Sequence, residues 1–261
     1  MTATHPGVVR SESTGWLRRP RPRPHARVRL VCLPHAGGSA SFYRALAAAL
    51  PDHIETVAVQ YPGREDRFTE PCVPDLRRLA GLVTEALLPL LDRPVALFGH
   101  SLGACVGHEV ALRLQQRARP PAHLFVSAQP APRHLRPGTI HLAGDDALLA
   151  ELRRVGGLAS GVLDDPELRA IVLPAVRADY RAIETYRPVP VPPLDCPVTA
   201  LVGTEDPDAT IDQARDWAAY TAARFELRVL PGGHFYLGEH LSRVSADIAA
   251  RLGGGAWPDL P

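Results

Sequence analysis

The pentapeptide Gly99-His100-Ser101-Leu102-Gly103 is the group of residues in this chain best suited to chemistry. It stands between an apolar run ending at Phe98 and a helical stretch opening near Gly103, so the chain must turn from strand to helix at Ser101. A turn that tight strains the backbone at the serine and admits only small residues beside it. It also leaves the Ser101 hydroxyl exposed at a sheet edge, over a helix N-terminus that favours negative charge. A serine hydroxyl is a weak nucleophile and needs a base. Nucleophiles on such turns are followed in the chain by an acid and then a histidine. The base expected on this order is His234, which follows a late strand-like run and has Gly232 and Gly233 to turn the chain. His240 is second choice, and His100 and His108, tied to the turn and its helix, are expected to pack or bond locally. The acid falls in Thr204–Asp208, with Asp206 first, Asp208 second and Glu205 third. The competing role for each acid is to cap the helix that follows. The carboxylate would fix the imidazole tautomer and stabilise the imidazolium.

Backbone donors must face the oxyanion that such a nucleophile creates. Leu102 N–H, directly after the serine, is one candidate. The other is Ala36 N–H, in the loop Pro34-His35-Ala36-Gly37-Gly38 after the first core strand. A Gly-rich loop of this kind can also cradle phosphate, but the chain has no GxGxxG, no GxxxxGK[ST] and no lysine at all. The chemistry is acyl transfer through a serine, needing neither cofactor nor metal.

The elements that must position these residues are legible as hydrophobic patterns. Strand runs occupy 27–33, 55–61, 94–100, 123–129, 197–203 and 225–230. Helical spacing covers 41–50, 75–91, 103–117, 211–223 and 239–252. Alternating strands and helices predict an α/β architecture, a mostly parallel central sheet with helices on both faces. The alternation breaks over 130–194, where helical pieces at 146–155 and 166–186 lie among prolines; this stretch is read as a helical insertion over the sheet's C-terminal edge. Leu148, Leu149, Leu158, Val162 and Leu163 either line a pocket there or pack the inserted helices together. The core is therefore 27–129 plus 195–252. Residues 1–26 read as a flexible Pro/Arg-rich leader and 253–261 as a C-terminal tail.

With 261 residues, 46% hydrophobic and 22% charged, the chain is one globular domain that needs no disulfide or metal to fold. All 29 basic residues are Arg, and the net charge of +1 provides no field for nucleic acid or a membrane. No stretch is long and apolar enough to span a bilayer. Arg18-Arg19 is followed by no apolar signal region. Four widely spaced cysteines lack metal spacing, and Cys32 and Cys196 read as buried free thiols. A cytoplasmic location fits these features best. Glu65 and Asp66, between Arg64 and Arg67, form a charge cluster read either as an ion-paired structural loop or as a border of the entry to Ser101. None of the four is assigned to catalysis.

Four blocks carry a resemblance: LVCLPHAGGSASFY (30–43), VQYPGREDRFTEP (59–71), ALFGHSLGA (96–104) and VLPGGHFYL (229–237). Together, in this order and spacing, they resemble the stand-alone type II thioesterases of polyketide and nonribosomal peptide biosynthesis. The resemblance implies an α/β-hydrolase fold with an inserted helical lid, here 130–194. It implies a triad of Ser101, Asp206 and His234, with oxyanion donors at Ala36 and Leu102. It further implies hydrolysis of acyl thioesters from the phosphopantetheine arm of acyl or peptidyl carrier proteins, clearing stalled or aberrant chains; separately, a monomer is expected. Leu102 stands where the family more often has Met. A carboxylesterase or lipase acting on small oxygen esters would carry the same triad, and a catalytically silent binding protein is the alternative of a different class. Carrier proteins are usually acidic, so the leader cluster Arg10, Arg18, Arg19, Arg21 and Arg23 is either a docking aid or a solvated tail.

Overall fold

The computed structural model describes residues 15–156 and 165–253. Seven strands form one sheet: β1 (Leu17–Arg18), β2 (Val28–Leu33), β3 (Ile54–Val59), β4 (Val95–His100), β5 (His123–Ser127), β6 (Val198–Gly203) and β7 (Phe225–Leu230). Their order is β1-β3-β2-β4-β5-β6-β7, with β1 antiparallel to β3 and every other pairing parallel. The sheet is thus the expected one, with one added edge strand.

β2 through β6 are buried at every position, because helices cover both faces. The period-2 alternation of a strand divides their side chains between two cores. Val31, Leu33, Leu97, Leu124, Val126 and Val202 face α2 (Leu76–Leu87) and α3 (Leu102–Gln116). Leu30, Cys32, Phe98, Phe125 and Leu201 face α1 (Arg44–Ala49) and the C-terminal helix, Leu241–Gly253. Cys32 and Cys196 are buried free thiols, as the sequence predicts. Helix starts follow local chemistry. Asp75 caps α2 by accepting the Arg78 N–H at 2.7 Å. The helical pattern over 75–91 ends as α-helix at Leu87 and continues as one 3-10 turn around Pro89, which has no N–H to give. The 211–223 pattern likewise resolves into Ile211–Arg215, opened by a Thr210/Gln213 capping box, and a 3-10 turn. That turn lets the buried Trp217 Nε1–H donate to Gln129 O at 2.9 Å.

The inserted segment contains α4 (Asp145–Val155) and α5 (Pro166–Thr185). Numbering onward, α6 is Ile211–Arg215 and α7 is Leu241–Gly253. Leu148, Leu149, Leu152, Leu173 and Val176 pack α4 and α5 against each other, which assigns Leu148 and Leu149 to lid packing. Leu158, Val162 and Leu163 lie outside the described residues, as do 1–14 of the leader and 254–261 of the tail; Gly253 ends α7.

The reading of 1–26 as a flexible leader is corrected for residues 15–26. Leu17 and Arg18 pair with Val59 and Ala58, and Gln60 N–H donates to Trp16 O at 2.7 Å. Arg23 is buried and donates to Ala47 O, Leu50 O, Pro51 O and Ile54 O at 2.7–3.2 Å, satisfying carbonyls around the C-terminus of α1. Trp16 lies under the Arg67 guanidinium, 4.3 Å from ring centroid to Cζ. Arg18 pairs with Asp66, and Arg19 with Glu55. Most of the leader's arginines therefore bind this chain rather than stand free in solvent. Among the described residues no helix is long and apolar enough to cross a membrane.

Candidate active site

The strand-to-helix turn places Ser101 between β4 and α3 at φ 54° and ψ −123°, a left-handed conformation that a side chain rarely adopts. The flanking glycines explain themselves sterically. A Cβ on Gly99 would sit 2.1 Å from Gly103 O, and one on Gly103 would sit 2.0 Å from Leu33 O. The turn is held by Ser101 N–H donating to Ser127 O at 2.8 Å. β2 and β4 thus approach α3 so closely that only hydrogen fits.

His234 and Asp206 come together from the loops after β7 and β6. Gly203 permits this, since a Cβ there would sit 2.4 and 2.5 Å from Gly232 O and Gly233 O, and Gly232 takes φ 101°. His234 Nδ1 lies 2.9 Å from Asp206 Oδ1 and 3.1 Å from Oδ2, and both residues are buried. Asp206 Oδ1 also accepts the N–H groups of Asp208 at 2.9 Å and Ala209 at 3.3 Å, which anchors the carboxylate before the histidine reaches it. Nδ1 is thereby the donor, and Nε2 is left for the substrate side. Asp208 turns away to Arg154 on α4, Glu205 is exposed, and His240 Nε2 lies 3.1 Å from Pro231 O. The first choices of acid and base are the pair that the fold assembles.

Ser101 and His234 line one cavity of about 290 Å³, together with Ala36 and Leu102. Among the described residues no hydrogen bond joins Ser101 Oγ to the imidazole, a looseness common before substrate binds. The N–H groups of Ala36 and Leu102 likewise donate to no partner among the described residues, so both stay available to a developing oxyanion. The far wall comes from the lid: Leu152 and Val155 of α4, and Tyr180 and Ile183 of α5. These apolar groups suit an acyl chain, and lid residues nearer the C-terminal ends of α4 and α5 supply them rather than Leu148 and Leu149.

Two further histidines surround the pair as neutral packing groups. Burial pushes His35, beside Ala36, down to about 3, with the nearby His234 and Arg64 adding to the shift. Burial also drives His100 well below the ordinary histidine range. Its Nδ1 lies 2.9 Å from Ser127 Oγ, which in turn lies 2.6 Å from Tyr236 OH, and its ring centroid sits 5.4 Å from that of His234. His108 packs edge-on against Trp217 and Tyr220. His100 and His108 thus take the packing roles the sequence predicts.

Sequence reasoning did not identify the partner of Arg64. This arginine is buried and ion-paired with Asp179 of α5, and Asp179 Oδ2 also accepts Gly37 N–H at 2.8 Å. The two residues are 115 positions apart, and no local pattern links them. The Arg64–Arg67 charge cluster is ion-paired, Arg64 with Asp179, Asp66 with Arg18 and Arg67 with Glu70, and Arg64 reaches the loop carrying Ala36 through Gly38 O.

The thioesterase-domain family model matches residues 28–252. Over 237 residues the chain is 48% identical to a probable cadicidin biosynthesis thioesterase of Streptomyces griseus; the match covers 91% of this chain, which spans 66% of that relative's length. It is 44% identical over 239 residues to the thioesterase PikA5 of Streptomyces venezuelae, covering 91% of this chain and 85% of the relative. Among solved structures, the type II thioesterase BorB from the borrelidin biosynthetic cluster superposes with a TM-score of 0.86 at 47% identity, covering 93% of this chain and 99% of that one. The chain belongs to the thioesterase family, on an α/β-hydrolase fold.

Proposed function

We propose that the chain is a stand-alone thioesterase that hydrolyses acyl groups from the phosphopantetheine arm of carrier proteins in polyketide or nonribosomal peptide biosynthesis, clearing stalled or aberrant chains. The observation that carries the chemistry is the Asp206–His234 hydrogen bond facing Ser101 across one small, partly apolar cavity. The thioester comes from the relatives, which are named as thioesterases of cadicidin biosynthesis, of the borrelidin biosynthetic cluster and of the yersiniabactin NRPS/PKS pathway, and the carrier comes from the resemblance of the sequence blocks.

In this reading His234 Nε2 takes the Ser101 proton as Oγ attacks the thioester carbonyl. The tetrahedral oxyanion is held by the N–H groups of Ala36 and Leu102, each worth about 3–4 kcal/mol in the transition state. The carbon–sulfur bond then breaks, and the imidazolium returns its proton to the departing pantetheine sulfur. Water enters, gives a proton to His234 and attacks the acyl-serine. Collapse releases the free acid and restores the Ser101 hydroxyl. Asp206 stays ionised throughout and holds the ring in place.

Comparing kcat/KM for an acyl chain on a carrier protein with that for the matched oxygen ester tests the assignment. A preference for the carrier thioester supports it. A preference for the oxygen ester makes the chain a carboxylesterase, and no turnover of either makes it a binding protein.

A further inference from the structure

We propose that Asp179 on the lid helix α5, clamped by Arg64, is a positioning residue that sets the oxyanion loop and so couples the lid to catalysis. This rests on the reading above, in which Ala36 N–H is an oxyanion donor.

The loop Pro34–Gly38 is held from the lid side at two points. Gly37, at φ 75°, approaches α5 so closely that a Cβ would lie 2.8 Å from Val176 Cγ2. Its N–H donates to Asp179 Oδ2 at 2.8 Å. That bond fixes the peptide plane directly after Ala36, a cavity-lining residue whose own N–H has no partner among the described residues. Asp179 is itself fixed by Arg64. Nη1 donates to Oδ2 at 2.6 Å and Nη2 to Oδ1 at 3.0 Å, a two-pronged pair with planar specificity. Arg64 Nη1 also donates to Gly38 O at 3.1 Å, so the guanidinium grips the loop on its carbonyl side while the carboxylate grips its N–H side.

The support continues beneath. Gln60 Nε2 donates to Arg64 O at 3.0 Å, and Gln60 Oε1 accepts Ala40 N–H at 2.8 Å, on the far side of the same loop. Asp179 is 2% exposed, Arg64 8% and Gln60 0%. A dry pair of this kind gives little net stability compared with an apolar substitute of equal volume. Its distinctive contribution is geometric: three chain segments far apart in sequence meet at one carboxylate. Because that carboxylate belongs to the lid, moving α5 away would strip Gly37 of its acceptor and leave the Arg64 charge buried without its partner. Loop order and lid seating therefore go together.

The test uses the full chain and the variant Asp179→Ala, with folding checked by thermal denaturation. Three quantities are compared with wild type: kcat and KM on an acyl-carrier thioester, affinity for an acyl trifluoromethyl ketone, which forms a tetrahedral oxyanion on the serine, and affinity for an unreactive acyl-pantetheine thioether. We expect kcat to fall by about 100-fold, the scale of a misplacement near 1 Å in the catalytic geometry. KM and thioether affinity should stay within about threefold, while ketone affinity falls in parallel with kcat. A folded variant whose kcat stays within threefold, or whose ketone and thioether affinities fall together, overturns the positioning role. If Asp179→Ala does not fold, the pair Arg64→Met/Asp179→Leu, which removes both charges at similar volume, carries the same comparison with the same criteria. Failure of the underlying reading is distinguishable in the wild type: a carboxylesterase would bind the ketone but prefer the oxygen ester to the thioester, and a binding protein would neither hydrolyse either ester nor bind the ketone.

Discussion

Both carboxylate oxygens of Asp206 face one nitrogen of His234, at 2.9 and 3.1 Å from Nδ1, while the carboxylate of Asp208, two residues on, is taken by Arg154 of the lid. The two acids are near neighbours with separate employment. Asp206→Asn is expected to lower kcat by about 10³–10⁴-fold, since an amide cannot both accept from Nδ1 and stabilise an imidazolium. Asp208→Asn removes only a partly exposed ion pair with the lid and should lower kcat by less than about tenfold. Steady-state kinetics of the two variants check this, and the reverse ranking would reassign the acid.

Gly103 cannot carry a side chain. Its Cβ would overlap Leu33 O at 2.0 Å and Pro34 O at 2.7 Å, both backbone atoms that move only with β2 and the oxyanion loop. Gly103→Ala should therefore destabilise by about 3 kcal/mol or more. Gly81→Ala on α2, where the nearest atom stands 4.0 Å away, should be neutral or stabilise by up to about 1 kcal/mol. Urea unfolding of both variants measures the contrast.

Arg23 tests whether residues 15–26 belong to the fold. Arg23→Ala removes a donor from four carbonyls around the end of α1, of which Pro51 O keeps the Ile54 N–H, and should cost about 2–3 kcal/mol. Arg119→Ala, at an exposed position, should stay within about 0.5 kcal/mol. Equal, small effects in chemical denaturation would return the leader to a dispensable tail.

Buried neutral histidines give stability a defined pH dependence. Burial pushes His108 down to about 4, with Glu109 partly opposing the shift. It pushes His123 down to about 4 as well, assisted by Arg251. The unfolded chain takes up protons near pH 6.5 that the folded chain refuses until about pH 4. This stabilisation is complete above about pH 6.5 and is lost as pH falls through the window below it, at up to about 1.4 kcal/mol per pH unit for each histidine. His108→Gln should lose stability less steeply than wild type between pH 6.5 and 4.5 in urea titrations. Equal slopes would contradict the assignment.

Much of this was readable from residue types. Ser101, Asp206 and His234 each follow a strand-like run, and the order Ser, acid, His narrows the choices because parallel strands deliver their loops to one edge. The lid helices were readable because Asp165-Pro166 and Gly156 mark their ends with local chemistry. β1 was not, since two residues ahead of an alternating Arg/Pro run have no period, and only the β3 edge makes Leu17 a strand. The Arg64–Asp179 pair was hidden for a related reason: a charge cluster announces ion pairing but not its partner, and the partner rides on an insertion 115 residues away.

Ser101 is expected to break the thioester through an acyl-enzyme. Rapid-quench mass spectrometry with an acyl chain loaded on a carrier protein tests it most directly, run on wild type and Ser101→Ala. An acyl adduct is expected on the peptide bearing Ser101 in wild type, and in Ser101→Ala no adduct and hydrolysis slower by about 10³-fold or more. Hydrolysis by Ser101→Ala within tenfold of wild type would contradict it.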